Sequence, residues 1–357
     1  MPANIGYAAA DAKAPLVPFA FDRRAVGPED VRIDIKFCGV CHSDIHQVRD
    51  ELGGVLATNY PCLPGHEITG IVAETGGNVR KYAVGDRVGV GCMVYWGAEE
   101  QRGEPDEQYL TPPAVYTYNA NDPHTGKITL GGYSDQIVVN EHFVLRIPDP
   151  LPLERAAPML CAGVTTWSPL ARWNVGPGQV VGVAGIGGLG HIAVQLAKAR
   201  GADQVTAFTT TPSKKDEILR LGADEVVVMS DQDAVDRHAD SLDFLLCTIP
   251  EAFDMKPYIS LVKHDGILVT VGMLAPSLPA AIDFVPVTMK RVNIAGSLIG
   301  SIAETQEVLD FCAEHDITAR VEVIAADQIN DAHDRVVAKG ARFRYVIDNA
   351  TLPPPTP

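Results

Sequence analysis

The sequence predicts an α/β protein of two domains, the second of which is built on a doubly wound parallel sheet. A glycine-rich turn at 185–190 follows an apolar β-branched run at 180–184 and precedes apolar residues at helical spacing over 189–197. Helical stretches separate later apolar runs, as expected for a parallel sheet. These runs occupy 204–208, 225–228, 243–246, 266–272 and 292–295. Before the turn, alternating apolar and polar residues at 31–37 and strand-like runs at 136–139 and 144–147 indicate a separate β-rich domain.

Composition limits the classes of function. The chain has 357 residues, 46% of them hydrophobic, which is enough for a sizeable core. Its net charge of −16 argues against nucleic acid or an anionic membrane as partner, because both require a basic face. No segment resembles a signal peptide or a membrane span, so we expect a cytoplasmic protein. Seven irregularly spaced cysteines favour reduced thiols or metal ligands over a disulfide framework.

The turn at 185–190 is typical of a dinucleotide-binding site. Side chains at Gly185 and Gly187 would keep the backbone away from a pyrophosphate, and free amides at the start of the next helix attract its charge. An isolated match of this kind also fits an ordinary glycine turn. The strand before it and the helix after it, which should end at Gly201, favour nucleotide binding.

The residues after the second strand indicate which nucleotide binds. A fold specific for NAD places an acidic residue there, about twenty residues beyond the turn, to bind the ribose 2′-hydroxyl. This chain instead reads TTTPSKK over 209–215. We predict NADP, with Thr210, Thr211 and Lys214 as contacts of the 2′-phosphate; the alternative is a helix N-cap followed by solvated lysines. The nicotinamide should lie where the strand 266–272 ends, at Gly272 and Met273.

Three segments carry candidate metal ligands. Residues 38–46 read CGVCHSDIH and place a thiol, an acid and histidines at the end of a strand. His66 and Glu67 lie between glycines before another apolar run, and Cys161 precedes the nucleotide-binding strand. Each has a simpler interpretation, namely a loop with buried thiols, a surface histidine and an inert core cysteine. Together they favour a metal site.

In combination these motifs resemble the zinc-containing alcohol dehydrogenases of the medium-chain dehydrogenase/reductase superfamily. The zinc signature corresponds to GHEITG at 65–70. CHSDIH at 41–46, CAGVT at 161–165, GIGGLG at 185–190 and GSLIGS at 296–301 are more narrowly similar to the cinnamyl alcohol dehydrogenase branch. The resemblance extends over nearly the whole chain. It implies a GroES-like β-rich catalytic domain joined to a Rossmann domain.

The resemblance also assigns roles to individual residues. It implies a catalytic zinc bound by Cys41, His66 and Cys161, with Glu67 as an alternating ligand or neighbouring carboxylate. Three protein ligands leave a fourth position for an alcohol or aldehyde oxygen. The remaining roles are Ser43 as the hydroxyl that touches the substrate oxygen, His46 as the next group on the proton path, and Asp44 as an orienting group. The implied cofactor contacts are Thr165, Gly185, Gly187, Gly188, Leu189, Gly190, Gly272 and Ser297.

Two segments depart from the family pattern. Family members carry a structural zinc held by four cysteines in a lobe after the segment that is GDRV here, at 85–88. This chain has no cysteine between Cys92 and Cys161, so we expect one zinc per chain and a metal-free lobe anchored by Tyr95 and Trp96. Leu52 stands where the branch usually has tryptophan, so a wider or reshaped substrate pocket is expected.

The sequence thus predicts a catalytic domain formed by 1–154 and 297–357 around a nucleotide-binding domain at 155–296. In the last segment we expect a helix from Glu304 to His315, a second helix capped by Asn330 and ended by Gly340, and an extended or disordered tail at 352–357. The predicted activity is reversible reduction of aldehydes to primary alcohols with NADPH, with broad or aromatic preference, in a homodimer. The alternatives are a zinc-free quinone or enone reductase of the same fold and a non-catalytic nucleotide-binding protein.

Overall fold

The computed structural model describes residues 3–53, 56–251, 253–272 and 282–354. The chain divides into two compact units, Met1–Cys161 with Ser301–Pro357, and Ala162–Gly300. The borders predicted from the sequence are 154/155 and 296/297. They lie a few residues before the observed borders, 161/162 and 300/301. Within the described ranges, none of the helices has the length and apolar character needed to cross a membrane. The expectations for Met273 and for the end of the tail at 355–357 lie outside the described residues.

The first unit begins with a series of strands and two short helices. The strands are β1 (Asn4–Ala8), β2 (Val17–Phe21), β3 (Asp30–Gly39), β4 (Ile68–Thr75), β5 (Arg87–Val90), β6 (Met93–Tyr95), β7 (Val115–Tyr116), β8 (Gln136–Asn140) and β9 (Leu145–Arg146). The helices are α1 (His42–Val48) and α2 (Leu153–Ala156). The alternation over 31–37 therefore belongs to β3, and its apolar residues Val31, Ile33 and Ile35 are buried as that pattern requires.

The second unit alternates strands and helices. They are α3 (Ala162–Arg172), β10 (Val180–Ala184), α4 (Gly190–Ala199), β11 (Gln204–Thr209), α5 (Lys215–Arg220), β12 (Glu225–Val228), α6 (Gln232–Arg237), β13 (Leu242–Cys247), α7 (Lys256–Leu261), β14 (Val262–Thr270), α8 (Phe284–Lys290) and β15 (Asn293–Gly296). The strands pair in parallel in the order β12-β11-β10-β13-β14-β15. This order confirms the predicted doubly wound sheet.

The chain then returns to the first unit. The returning elements are α9 (Ile302–Glu314), β16 (Val321–Ala325), α10 (Ile329–Val337) and β17 (Arg344–Asp348). The prediction that Asn330 caps the last helix is wrong, because its side chain instead exchanges two 2.9 Å hydrogen bonds with the backbone of Leu16. The helix ends at Val337, before Gly340, whose amide donates to the carbonyl of Arg335 at 2.8 Å.

The main sheet of the first unit brings distant segments to one edge. Its order is β16-β17-β3-β4-β5-β9, with β8 also paired to β3. β3 runs antiparallel to β4 with Cys38 opposite Ile68, and antiparallel to β17 with Gly39 opposite Val346. The end of β3, the start of β4 and the start of β17 therefore meet. The segments carrying Cys41 and His66 lie at this edge.

Candidate active site

Four side chains with metal-binding atoms converge in the first unit. One ligand atom from each of Cys41, His66, Glu67 and Cys161 lies within 4.8 Å of the others, and all four residues are buried. They come from three places along the chain: the residue before α1, the segment before β4, and the residue before α3. The sheet register explains the first two, because antiparallel pairing sets the end of β3 beside the start of β4.

Asp44 holds the two segments together. Its fully buried carboxylate accepts hydrogen bonds from the backbone amides of Cys41 at 3.0 Å and Gly65 at 3.1 Å. It also accepts from His66 Nδ1 at 2.9 Å. Because Nδ1 bonds to Asp44, Nε2 is the nitrogen of His66 that can bind a metal. The orienting role that the resemblance implied for Asp44 has this geometric basis.

Glu67 forms an ion pair with Arg344, the first residue of β17. Both side chains are buried, at 0% and 4% exposure. Burial is the main reason that the pKa of Glu67 is raised to about 8, and Arg344 opposes the rise. The second carboxylate oxygen, Oε2, is buried without a hydrogen-bond partner. A Cβ on Gly39 would lie 1.9 Å from that oxygen, so glycine is required there to make room for it.

The two candidate thiol ligands share a hydrogen bond. A hydrogen bond with Cys161 is the largest cause that lowers the pKa of Cys41 well below its usual value, and the same bond raises the pKa of Cys161 well above it. A second hydrogen bond with Cys161 lowers the pKa of Cys92. Cys161, whose pKa is raised, would have to release its proton for both sulfurs to bind a metal, so metal binding at this site releases a proton.

The donor set fits zinc. Two sulfurs and an imidazole nitrogen are the ligands that Zn²⁺ prefers, and three of them correspond to a catalytic site with an open position. The orphaned Oε2 of Glu67 adds a fourth donor close by. Among the described residues, no other group of three or more such side chains comes together in this way.

The residues predicted to move a proton lie on α1. Cys41 Sγ donates to the Ser43 hydroxyl oxygen at 3.6 Å. His46 Nδ1 is 2.5 Å from Glu51 Oε2, and its ring stacks on His42 with 4.5 Å between centroids. His46 Nε2 is buried and unpaired. No hydrogen bond joins Ser43 to His46, both of which are described, so the structure does not connect the predicted path in one step.

The second unit contains the predicted nucleotide turn between β10 and α4. Gly185 has φ +87°, and a Cβ there would lie 2.9 Å from Ile249; a Cβ on Gly190 would lie 2.2 Å from the Gly185 carbonyl oxygen. Gly187 is different, because a Cβ there would meet none of the described residues within 4 Å. Gly185 and Gly190 are therefore required by the fold itself, whereas Gly187 leaves open space at the start of α4, where a pyrophosphate would bind.

The other predicted cofactor contacts lie in the same unit. Thr210 and Thr211 follow the end of β11, and Lys214 ends the short helical turn before α5. Burial lowers the pKa of Lys214. Gly188 and Leu189 complete the turn, Thr165 is buried in α3, Gly272 follows β14, and the Ser297 amide donates to the Thr270 carbonyl at 3.1 Å.

Comparisons with known proteins agree with this geometry. Residues 27–149 match the alcohol dehydrogenase GroES-like domain and residues 188–314 the zinc-binding dehydrogenase family. The chain is 51% identical to NADP-dependent alcohol dehydrogenase C 1 of Mycolicibacterium smegmatis, covering 97% of this chain and 98% of the relative. It is 50% identical to aldehyde reductase YahK of Escherichia coli, covering 96% and 97%.

Solved structures give the same result. A cinnamyl alcohol dehydrogenase of Sorghum bicolor matches with a TM-score of 0.93 and 40% identity over 99% of this chain and 100% of that one. The chain belongs to the medium-chain zinc alcohol dehydrogenases, in the cinnamyl alcohol dehydrogenase-like branch. An enzyme of this branch from Helicobacter pylori, solved in complex with NADP(H), matches with a TM-score of 0.89 and 39% identity over 97% and 98% of the two chains. The predicted family and fold class are confirmed.

Side-chain contacts join the residues of the lobe after β5. The Arg102 guanidinium lies 4.4 Å from the centre of the Trp96 ring and forms ion pairs with Glu29 at 3.0 Å and Glu99 at 2.6 Å. Tyr95 contacts the Trp96 ring edge-on at 5.2 Å. Trp96 in turn packs on His142 and Phe143, at 4.9 Å from each. His142 pairs with the buried Glu107 at 3.0 Å.

Several residues around the dehydrogenase site are not identified by the sequence motifs. They are His42, Cys92, Tyr118, Tyr133, His333 and Arg344. Tyr118 tilts over the His66 ring at 5.8 Å, and Tyr133 bonds to Asp44 at 3.3 Å. These residues reach the site through tertiary packing, and no local spacing signals them. His42 is the exception, because it lies within CHSDIH between two predicted site residues.

Proposed function

We propose that this chain is an NADPH-dependent zinc alcohol dehydrogenase that reversibly reduces aldehydes to primary alcohols. The observation that carries the proposal is the convergence of Cys41, His66 and Cys161, with Glu67 beside them, in one buried cluster. Relatives named NADP-dependent alcohol dehydrogenase and aldehyde reductase, each about half identical over almost their full length, support the same activity.

The residues of the first unit would prepare the reaction. When bound, zinc supplies a Lewis acid for the substrate oxygen and NADPH supplies a hydride. Cys41, His66 and Cys161 are the residues that would hold the ion. Asp44 keeps the His66 ring in one orientation and one tautomer. Arg344 binds one oxygen of Glu67, which leaves the other without a hydrogen-bond partner among the described residues and able to act as an alternating ligand.

Proton transfer is assigned to Ser43 and His46. Ser43 lies two residues from Cys41, within reach of its sulfur, so its hydroxyl lies beside the reacting centre. His46 has an unpaired Nε2 on its buried side and a bond from Nδ1 to Glu51, whose side chain is 42% exposed. A histidine with one nitrogen facing the interior and the other facing an exposed carboxylate can pass a proton between the site and solvent.

Substrate preference follows from the residues near the cluster. The aromatic ring of Tyr118 lies beside His66, and the resemblance puts Leu52, which is buried, where the branch usually has tryptophan in its substrate pocket. Both favour a broad or aromatic aldehyde. NADPH oxidation with benzaldehyde-like and aliphatic aldehydes of matched size tests this preference. A strong preference for small aliphatic aldehydes would contradict it.

The zinc mechanism is tested by replacing one ligand. C41A should lose bound zinc and at least 10³-fold in kcat/KM, on the order of the effect of a lost catalytic group, while its Kd for NADPH stays unchanged. C312A is the matched control, because Cys312 is also buried but lies in α9. Aldehyde reduction by a zinc-free wild-type preparation would instead favour the quinone or enone reductase alternative. NADPH binding without turnover of any aldehyde would favour the non-catalytic one.

We assign one zinc to each chain. The lobe has no cysteines between Cys92 and Cys161, and the Arg102–Trp96 stack with its partly exposed ion pairs joins its residues instead. Elemental analysis of protein purified in zinc-supplemented medium should therefore return one equivalent per chain. Two equivalents would overturn the assignment.

A homodimer is the proposed assembly. Phe284, Val285 and Met289 on α8 are 66%, 64% and 80% exposed, and neighbouring β15 is the edge strand of the parallel sheet. An apolar helix face beside a free sheet edge suits a second copy of the chain. A cytoplasmic location is supported by the cysteines, all seven of which are free thiols, as expected in a reducing compartment.

A further inference from the structure

A chain of buried side chains connects the returning segment to the candidate ligand His66. His333 Nε2 lies 3.2 Å from the Tyr133 hydroxyl, which lies 3.3 Å from Asp44 Oδ2. Asp44 Oδ1 lies 2.9 Å from His66 Nδ1. All four residues are at most 4% exposed, so little water competes for these bonds. We infer that Tyr133 and His333 are positioning residues that fix the orientation of His66 through Asp44.

The donors and acceptors available to these side chains allow only one direction for the hydrogen bonds that link them. Asp44 Oδ1 accepts from the Gly65 amide and from His66, and Oδ2 accepts from the Cys41 amide and from Tyr133. The Tyr118 side chain also bonds to this carboxylate. The one hydroxyl hydrogen of Tyr133 goes to Asp44, because an ionised carboxylate cannot donate. His333 must then donate from Nε2–H to the Tyr133 oxygen. Burial lowers the pKa of His333 to about 4, which keeps the ring neutral at neutral pH and allows this tautomer.

The backbone holds Tyr133 against the segment that carries His66. The Tyr133 amide donates to the Pro64 carbonyl at 3.0 Å, and the Gly132 amide donates to the Gly65 carbonyl at 2.8 Å. A Cβ on Gly65 would lie 2.7 Å from the Tyr133 ring, and Gly65 has φ +108°. Glycine at 65 is therefore what permits this close approach. Tyr133 and His66 are parts of one rigid unit.

Contacts of helix α10 hold His333 in place at the opposite end of this hydrogen-bonded series. Helix α10, which carries it, is fixed by the paired hydrogen bonds between Asn330 and the Leu16 backbone, and by the 2.8 Å ion pair between Asp334 and Arg49. Arg49 follows directly after α1, which carries Asp44. Helix α10 thus brings the His333 donor to the Tyr133 hydroxyl. The same helix is joined by an ion pair to the end of α1, which carries Asp44. Outer hydrogen bonds of this kind usually change metal affinity ten- to a hundredfold.

The inference rests on the proposed zinc site, and metal affinity is its direct readout. Y133F removes the hydroxyl that links Asp44 to His333, and H333L removes the donor while keeping most of the volume. We expect each to weaken zinc binding roughly tenfold in competition with a chromophoric chelator. The double variant Y133F/H333L should be no weaker than Y133F, because both changes break the same chain. H333Q, which restores an N–H donor, should recover most of the affinity.

Cobalt gives a spectroscopic test of the same point. The d–d bands of Co²⁺-loaded Y133F and H333L should shift or broaden relative to wild type, while those of H333Q should not. Y82F is the control, since the Tyr82 hydroxyl bonds to the Val144 carbonyl, away from this chain of side chains. Unchanged zinc affinity and cobalt spectra in Y133F, even with a lowered Tm, would overturn the inference. If wild type binds neither metal, the proposed function fails instead.

Discussion

At the residue scale, the glycines of the nucleotide turn differ in whether the fold leaves space for a side chain. Gly190 has no room for a Cβ, because the Gly185 carbonyl oxygen would lie 2.2 Å away. Gly187 has room, since no atom of the part of the chain that the structure describes lies within 4 Å of the position a Cβ would take. A substitution at Gly190 therefore disturbs the fold. A substitution at Gly187 fills the space left for the ligand.

This difference leads to a prediction about cofactor binding. G187V should fold with a Tm close to wild type but bind NADPH at least tenfold more weakly, because its side chain occupies the pyrophosphate position. Fluorescence titration with NADPH measures the affinity. G77V is the control, since Gly77 also has open space but lies in the other unit. Normal NADPH affinity in G187V would show that the turn does not contact the pyrophosphate.

His333 gives a second prediction at this scale, concerning pH. Burial lowers its folded-state pKa to about 4, against the opposing effect of Asp44; Arg49, Asp334 and His42 also face it. An unfolded histidine has a pKa near 6.5, so between these values the unfolded chain takes up a proton that the folded chain does not. The stability contributed by the neutral ring is present above about pH 6.5. It falls as the pH drops toward about 4.

The expected size can be measured with H333Q. Between pH 7 and pH 5, wild type should lose roughly 2 kcal/mol more of its free energy of unfolding than H333Q does. Urea unfolding at the two pH values gives the difference, and the shared titration of the metal ligands cancels in the comparison. Equal losses in both proteins would mean that His333 is protonated in the folded state.

The site residues that can be predicted from the sequence lie in local motifs, whereas those that cannot depend on contacts between distant parts of the chain. Cys41, His66 and Cys161 stand in short local motifs, so their chemistry can be predicted from the amino-acid sequence alone. Arg344 and His333 reach the site only because β17 pairs with β3 and α10 packs beside α1. Their partners, Glu67 and Tyr133, lie 277 and 200 residues away along the chain. Nothing in the local pattern around Arg344 or His333 records such distant contacts.

At the element scale, strands are more predictable than helix ends. β11, β12 and β13 match their apolar runs because a buried parallel strand needs apolar residues on both faces. The predicted cap at Asn330 is wrong because asparagine usually bonds to its own local backbone, whereas here it bonds to Leu16. The lobe between β6 and β7 is predictable only in its lack of cysteines. Its contacts join residues, such as Arg102 and Glu29, that no local pattern relates.

The lobe carries a prediction about stability. R102A should lower the free energy of unfolding by about 1 kcal/mol, because it removes a stack on Trp96 and two partly exposed ion pairs that solvent screens. R102K should recover little, since lysine keeps the charge but not the planar stack. Thermal unfolding at low and at high salt measures both variants. A wild-type-like Tm for R102A at low salt would mean that the lobe is held by other contacts.

At the scale of the whole molecule, the exposed apolar face of α8 leads to a prediction about the oligomeric state. F284E/M289E places two charges in the apolar patch and should convert the proposed dimer to a monomer, because a buried unpaired charge is costly at an interface. Light scattering after size exclusion measures the mass. V84E is the control, as Val84 is 67% exposed but lies in the other unit. A wild-type protein that is already monomeric would contradict the proposal.

The cysteine-free lobe also has a consequence for the conditions in which the enzyme works. Oxidants that attack thiolates release zinc from cysteine-rich lobes and loosen them. Here a guanidinium rests on an indole ring, and neither group reacts with such oxidants. The proposed metal-free lobe should therefore stay folded in a cell that is starved of zinc or exposed to peroxide.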